Sequence, residues 1–193
     1  MAKKTQSTPP EDDRRIQKTK KSLADALKEL ILEKGYDAVT IQDIIDKANI
    51  GRSTFYTHYE SKDHLLVGNI NFLENLALAP TADTENYPMG INLSYLFNHL
   101  KENIQIGKAM AGRGLDVLIA HFTELVAAKI VDYNKPRQTR NKTAQKMIVY
   151  KAEAIAGGIV RMLFKWLEDG AIVSVDEMIL YAKKIIDTFA DEK

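Results

Sequence analysis

The chain has 193 residues, 45% of them hydrophobic, enough to bury a substantial core in one domain or two small ones. With 27 basic and 26 acidic residues the formal net charge is only +1, so no bulk field draws in nucleic acid, and basic character has to be local. The absence of cysteine excludes disulfides, thiolate metal sites and a cysteine nucleophile. No apolar run is long enough to cross a bilayer and the polar amino terminus is unlike a signal peptide, so a soluble, cytoplasmic protein is expected.

Residues 1–11 read as a frayed polar arm with a Pro9-Pro10 break. From about Asp12 the pattern turns helical, and Ile16, Leu23, Leu27, Leu30 and Ile31 form an apolar stripe that ends at Lys34-Gly35, a basic last turn with a glycine stop. Lys18, Lys20 and Lys21 cluster on this helix. Thr40 then caps a short second helix with Asp43 three positions on, while Ile41, Ile44, Ile45 and Ala48 recur at i, i+3, i+4 and i+7. Asn49 tolerates the left-handed conformation that a sharp turn needs, Ile50 plugs the corner, and Gly51 caps a third helix running from about Arg52 to Tyr59. Within it Phe55 and Tyr59 point to the core, which leaves Arg52, Ser53, Thr54, Tyr56, Thr57 and His58 on the other faces. Two short helices meeting at a tight turn make the geometry that lays a reading helix in the major groove, and hydrogen-bonding groups on its outward face suit base edges and phosphates. Ser61 caps a fourth helix carrying Leu65, Leu66, Ile70, Leu73 and Leu76, of which 67–79 is expected to link two domains.

Residues 80–90, PTADTENYPMG, form the clearest break in the chain. One helix is predicted over 91–106 on Leu93, Leu96, Phe97, Leu100 and Ile104, and after an interruption at Gly112 to Gly114 a second stripe runs from Leu115 to Ile130. The basic stretch 134–142, NKPRQTRNK, reads as a solvated loop. The longest helix is predicted over 142–168, with Ile155, Ile159, Met162 and Trp166 on one face and Val160, Phe164 and Leu167 on another. A helix that is apolar all round has to be covered all round, here by the protomer's own core on one side and a partner on the other. Gly157-Gly158 costs about 1 kcal/mol per glycine in helix propensity, which a close approach of two backbones would explain. A last helix opens with Ser174 and Glu177 as a capping box. Two such helices from each of two subunits make a four-helix dimer interface, with Ile155, Ile159, Met162, Tyr181 and Ile185 as its candidate residues. The chain thus reads as all-α with about nine helices: a three-helix helix-turn-helix domain over 12–66 and a larger helical domain over 80–193.

The run 35–66, with its glycine, then TIQDI, then the turn, then TFYTHYESKDHL, resembles the DNA-binding domain of the TetR/AcrR family of bacterial transcriptional regulators. The resemblance is dense over the first third of the chain; beyond it only helix lengths and order agree. It implies a homodimer with an amino-terminal DNA-binding domain and a carboxy-terminal domain for ligand sensing and dimerisation. Such a dimer binds a near-palindromic double-stranded operator, most often as a repressor, and is released by a small-molecule effector. Position by position it implies Arg52 and Ser53 as base readers, with Thr57 reaching a base or its methyl group. Tyr56, His58 and Lys62 fall on positions used mainly for phosphates, with Thr40 and Gln42 contributing from the preceding helix, and Thr54 shares the outward face. Gly51 departs from a frequent capping serine, and Asn49 from a common turn glycine.

Tyr95, His99, Phe122, Tyr150 and Trp166 are the candidates for lining an apolar effector cavity in the larger domain. A regulator or coactivator that answers to a protein partner instead is the alternative. The four histidines, His58, His64, His99 and His121, lack metal-ligand spacing, and there is no glycine-rich phosphate loop, nucleophile elbow or paired-carboxylate signature. No enzyme, metal or cofactor is expected.

Overall fold

A computed structural model describes residues 11–68, 88–134 and 141–190, and every regular element among them is helical. Helix α1 (Glu11–Lys34) ends at Gly35, whose left-handed backbone (φ 76°) turns its N–H onto the carbonyl of Ile31 at 2.9 Å. Leu23, Leu27, Leu30 and Ile31 of the expected stripe are buried, whereas Ile16 stays exposed.

Helix α2 (Ile41–Ala48) carries the capping box read from Thr40 and Asp43. Its far end is closed by Asn49 in the left-handed conformation (φ 53°, ψ 50°), with the Asn49 N–H on Asp46 and the Ile50 N–H on Ile45. That paired closure satisfies the last carbonyls of α2 and aims the chain straight into α3 (Arg52–His58). Phe55 and Tyr59 go into the core as their spacing requires. Helix α4, described over 62–68, starts with the Ser61 hydroxyl accepting from the His64 N–H at 3.0 Å, and Leu65 and Leu66 are buried. The arm over 1–10, the rest of the linking helix 67–79, most of the break at 80–90 and the basic stretch 135–140 lie outside the described residues.

The larger domain opens with a single 3-10 turn (Pro88–Gly90), followed by α5 (Leu93–Glu102), α6 (Ile104–Ala109), α7 (Arg113–Asn134), α8 (Lys142–Glu168) and α9 (Val175–Ala190). The one helix predicted over 91–106 is in fact two, broken at Asn103. There the side-chain amide donates to the His99 carbonyl at 2.8 Å, on the same oxygen that takes the Asn103 backbone N–H, and this local competition ends the regular ladder. Helix α9 begins with the expected box: Ser174 Oγ donates to the Glu177 carboxylate at 2.7 Å and accepts the Glu177 N–H at 3.3 Å.

Helix α8 corrects one expectation. Ile155, Ile159, Val160, Phe164 and Leu167 are all buried, so both apolar sides are covered within one protomer, by α7 foremost and by α9, α6 and α5. The strip left to solvent is narrower and carries Tyr150, Ala154, Gly158, Arg161 and Lys165. No described helix is long and apolar enough to cross a membrane.

Candidate nucleic-acid interface

The reading helix α3 is short, and its orientation depends on what fixes its two ends. Phe55 is fully buried and Tyr59 nearly so, with ring centroids 6.0 Å apart, and the two pin one side of α3 to the core. Gly51 caps α3 in an extended conformation with no side-chain hydrogen bond, so the first N–H groups of the helix face outward without a competing acceptor from the cap. Arg52, Ser53, Thr54, Tyr56 and Thr57 are exposed and His58 is half-buried.

The structure groups most of the DNA-directed candidates on this one surface. Arg52 donates to Gln42 Oε1 at 3.3 Å and stands 5.8 Å from the Tyr56 ring, while Gln42 Nε2 donates to Asp46 at 2.8 Å. Arg52 is therefore presented by both helices of the motif. Thr57 Oγ1 donates to the Ser53 carbonyl at 3.0 Å, a back-bond that holds its methyl group in one rotamer.

Two candidates do something else. Thr40 spends both its donors on Asp43: its N–H at 2.7 Å and its hydroxyl at 2.6 Å reach the same carboxylate oxygen. Lys34 adds an ion pair to that oxygen at 2.7 Å, and the hydrogen bonds from Lys34 first and Thr40 second hold the Asp43 carboxyl well below the usual carboxylate range. Lys62 donates to the carbonyls of Tyr36 at 2.8 Å and Val39 at 2.7 Å, and its ammonium lies 4.2 Å from the Tyr36 ring centre. Burial lowers its pKa, and two of its three hydrogens go to backbone, leaving one for a phosphate. Thr40 and Lys62 are thus built first into the frame that holds α2, α3 and α4 together.

Sequence reading missed the polar junction behind this frame. Tyr36 OH donates to Asp63, Arg113 on α7 reaches the same carboxylate, and the Tyr36 N–H donates to the Ala109 carbonyl at 3.0 Å. Its bonded pairs lie 27 to 73 positions apart, and no local pattern announces them.

Of the residues proposed for an effector site, His99 and Phe122 line a cavity of about 460 Å³, together with Met110, Leu118 and Phe164. The other candidates lie elsewhere. Tyr95 stacks on His99 from outside the cavity (centroids 5.6 Å apart), and Tyr150 is exposed on α8. Trp166 is buried against Phe97, with its indole N–H on the Val173 carbonyl at 2.9 Å. Of the proposed dimer residues, Ile155 and Ile159 are buried inside the protomer, Met162 and Ile185 are half-buried, and Tyr181 is exposed. A Cβ added at Gly157 or Gly158 meets nothing within 4 Å, so no backbone of the same protomer approaches there.

Comparison with known proteins agrees with this geometry. The sequence model of the bacterial regulatory proteins, tetR family, matches residues 23–67, which span α1 to α4. An uncharacterised helix-turn-helix-type transcriptional regulator of Bacillus subtilis (strain 168), YxbF, is 46% identical over 55 residues, 28% of this chain but only 14% of that protein. A second from the same organism, YwcC, is 28% identical over 178 residues, covering 90% of this chain and 67% of its own length. Among solved structures, a TetR transcriptional regulator from Streptococcus agalactiae has a TM-score of 0.60 at 23% identity, over 91% of this chain and 97% of that one. At that identity the likeness establishes the fold.

Proposed function

Since the chain belongs to the tetR family of bacterial regulatory proteins, we propose that it is a cytoplasmic, ligand-responsive repressor that binds a near-palindromic operator as a homodimer. The observation that carries this reading is the outward face of α3, where Arg52, Ser53, Thr54, Tyr56, Thr57 and His58 stand clear of a core that holds Phe55 and Tyr59. Arg52 and Ser53, at the head of α3, read base edges, and a bidentate grip of Arg52 on guanine contributes about 1 to 3 kcal/mol of discrimination. Thr57 meets a base or thymine methyl. Tyr56, His58 and Gln42 contact phosphates, while Thr40 and Lys62 hold the helices at the angle that makes those contacts possible.

The dimer face is the exposed strip of α8 and α9. Tyr150, Leu180 and Tyr181 are each more than half exposed, an apolar surface that a second copy of the chain would cover, with Ala154 and Gly158 allowing close approach. Half-buried Met162 and Ile185 complete it. A small-molecule effector is favoured over a protein partner by the cavity lined with His99 and Phe122, whose volume of about 460 Å³ falls in the range of ligand sites. Selection of bound sequences from a random DNA pool tests the reading. It predicts enrichment of one near-palindrome with half-sites a whole number of helical turns apart. Recovery of unenriched DNA would reject it.

A further inference from the structure

The cavity is not enclosed by the larger domain alone. One of its walls is α1 of the reading domain, which contributes Ala24, Leu27, Lys28 and Ile31, and the opposite wall is Gly107 and Met110 at the corner between α6 and α7. A molecule lodged there touches both domains at once. We propose that this inter-domain cavity is an effector site for an apolar molecule bearing one carboxylate, its head at Lys28 and His99 and its tail against Leu118, Phe122 and Phe164. This deepens the ligand-responsive reading and rests on it.

The lining decides the ligand class. Its surface is predominantly leucine, isoleucine, phenylalanine and methionine, so the body of the ligand is apolar. Among the described residues the charged groups at the rim are Asp25 and Lys28. Asp25 is already paired with Lys21 at 2.7 Å, whereas Lys28 has no hydrogen bond or ion pair among the described residues. The ring of His99 lies beside it, stacked on Tyr95 and with Nε2 3.4 Å from the Asn103 side-chain amide, so a neutral ring there keeps its Nδ1–H as a second donor. Burial lowers the His99 pKa, opposed by the nearby Glu102 and reinforced by Lys28, which favours a neutral imidazole there. One unspent cation and one neutral donor favour an anionic head over a cationic one. At the ~30 Å³ that a water occupies in the liquid, 460 Å³ accommodates roughly fifteen non-hydrogen atoms, the size of a medium-chain carboxylate.

The same geometry carries the effect outward. Met110 lines the cavity and packs over Gly114, where an added Cβ would stand 3.0 Å from Met110 Cε and 2.7 Å from the Tyr36 ring. Met110 and Tyr36 therefore meet across a glycine with no slack. Tyr36 in turn holds Lys62 by its carbonyl and Asp63 by its hydroxyl, at the start of α4. A ligand that displaces Met110 pushes on the residue that fixes α4 against α1 and α2. The reading helices then lose the spacing that operator binding needs, in proportion to the ligand's preference for the displaced arrangement.

Gly107 supplies the decisive variant. It lines the cavity, and a Cβ built on it meets no atom within 4 Å, so Gly107→Trp fills the space without a backbone clash. Isothermal titration of the full chain with decanoate, decanol and decyltrimethylammonium reads the site without DNA. The expected result is binding of decanoate ahead of decanol and none of the cation. Lys28→Gln weakens decanoate about tenfold while leaving decanol unchanged, as loss of one charged hydrogen bond requires, and Gly107→Trp abolishes both. Binding that survives Gly107→Trp, or no binding by any of the three, overturns the site. An unchanged decanoate affinity in Lys28→Gln overturns the headgroup assignment. A parallel titration of operator DNA separates this from the wider reading: decanoate that binds the cavity yet leaves DNA affinity unmoved sustains the site and removes its regulatory role.

Discussion

Arg113, the first residue of α7, grips the Asp63 carboxylate at the start of α4 with Nη2 at 2.6 Å and Nε at 3.2 Å, tying together two helices fifty positions apart. The Arg113 backbone N–H reaches the Asp37 carboxylate at 3.4 Å, and beside it the Tyr36 N–H donates to Ala109. This corner fastens the reading domain to the larger one, beside the contact of α1 with α6. Arg113 is largely exposed, and such pairs add little to global stability. Arg113→Ala should therefore leave the melting temperature nearly unchanged while the Tyr36 amide exchanges faster with solvent. Equal exchange in the two proteins would show that the fork does not hold the corner.

Gly107 on α6 and Gly114 on α7 differ in their surroundings and should respond oppositely to alanine. At Gly114 a new Cβ stands 2.7 Å from the Tyr36 ring, and overpacking of this kind costs about 1 to 3 kcal/mol, more than the ~1 kcal/mol of helix propensity that alanine returns. At Gly107 the Cβ enters open space, so only the propensity gain remains. Thermal unfolding of Gly114→Ala below, and Gly107→Ala above, the parent protein is the expected pattern.

Lys62→Ala separates a framing residue from a phosphate contact. Removing an ammonium that satisfies the Tyr36 and Val39 carbonyls should lower folding stability by about 1 to 3 kcal/mol and weaken binding to specific and random DNA alike. A variant with full stability and weakened DNA binding would return Lys62 to a purely DNA-facing role.

The Tyr36–Asp63 pair makes stability depend on pH at both ends. Partial burial pushes the Asp63 carboxyl up, but the hydrogen bonds from Arg113 and Tyr36 outweigh it and hold the group below its ordinary value. A depressed folded pKa contributes stability that is present above the unfolded value of about 3.9 and is lost as pH falls below it. Tyr36 is shifted the other way, raised by burial first and by its bond to Asp63 second. Its contribution is full below the unfolded value of about 10 and is lost as pH rises beyond it. Chemical denaturation across this range should show both limbs in the parent protein and a reduction of both in Tyr36→Phe, which loses the phenol and one of the bonds that hold Asp63 down.

The helix-turn-helix was legible because its signals are local. Thr40 with Asp43, Asn49 at a left-handed turn, and Phe55 with Tyr59 four apart each act within a few residues, and each appears in the structure as the sequence implies. The break at Asn103 was hidden because a side-chain bond to His99 competes with a continuous apolar stripe. The two-sided burial of α8 was hidden because periodicity shows that a face needs cover without showing whether the cover comes from the same chain. Tyr36, Asp63 and Arg113 carry no mutual signal in sequence, and neither does a cavity shared between α1 and the α6–α7 corner.

The most direct test of the central claim is the affinity of the parent protein and of Arg52→Ala for the selected operator, for operators altered at single positions, and for random duplex, at several salt concentrations. The account predicts two protomers bound per operator, a clear preference over random DNA, and a loss in Arg52→Ala of about 1 to 3 kcal/mol confined to one position of each half-site, with the salt slope little changed. An equal loss on operator and random DNA, or a parent protein that does not distinguish them, would contradict it.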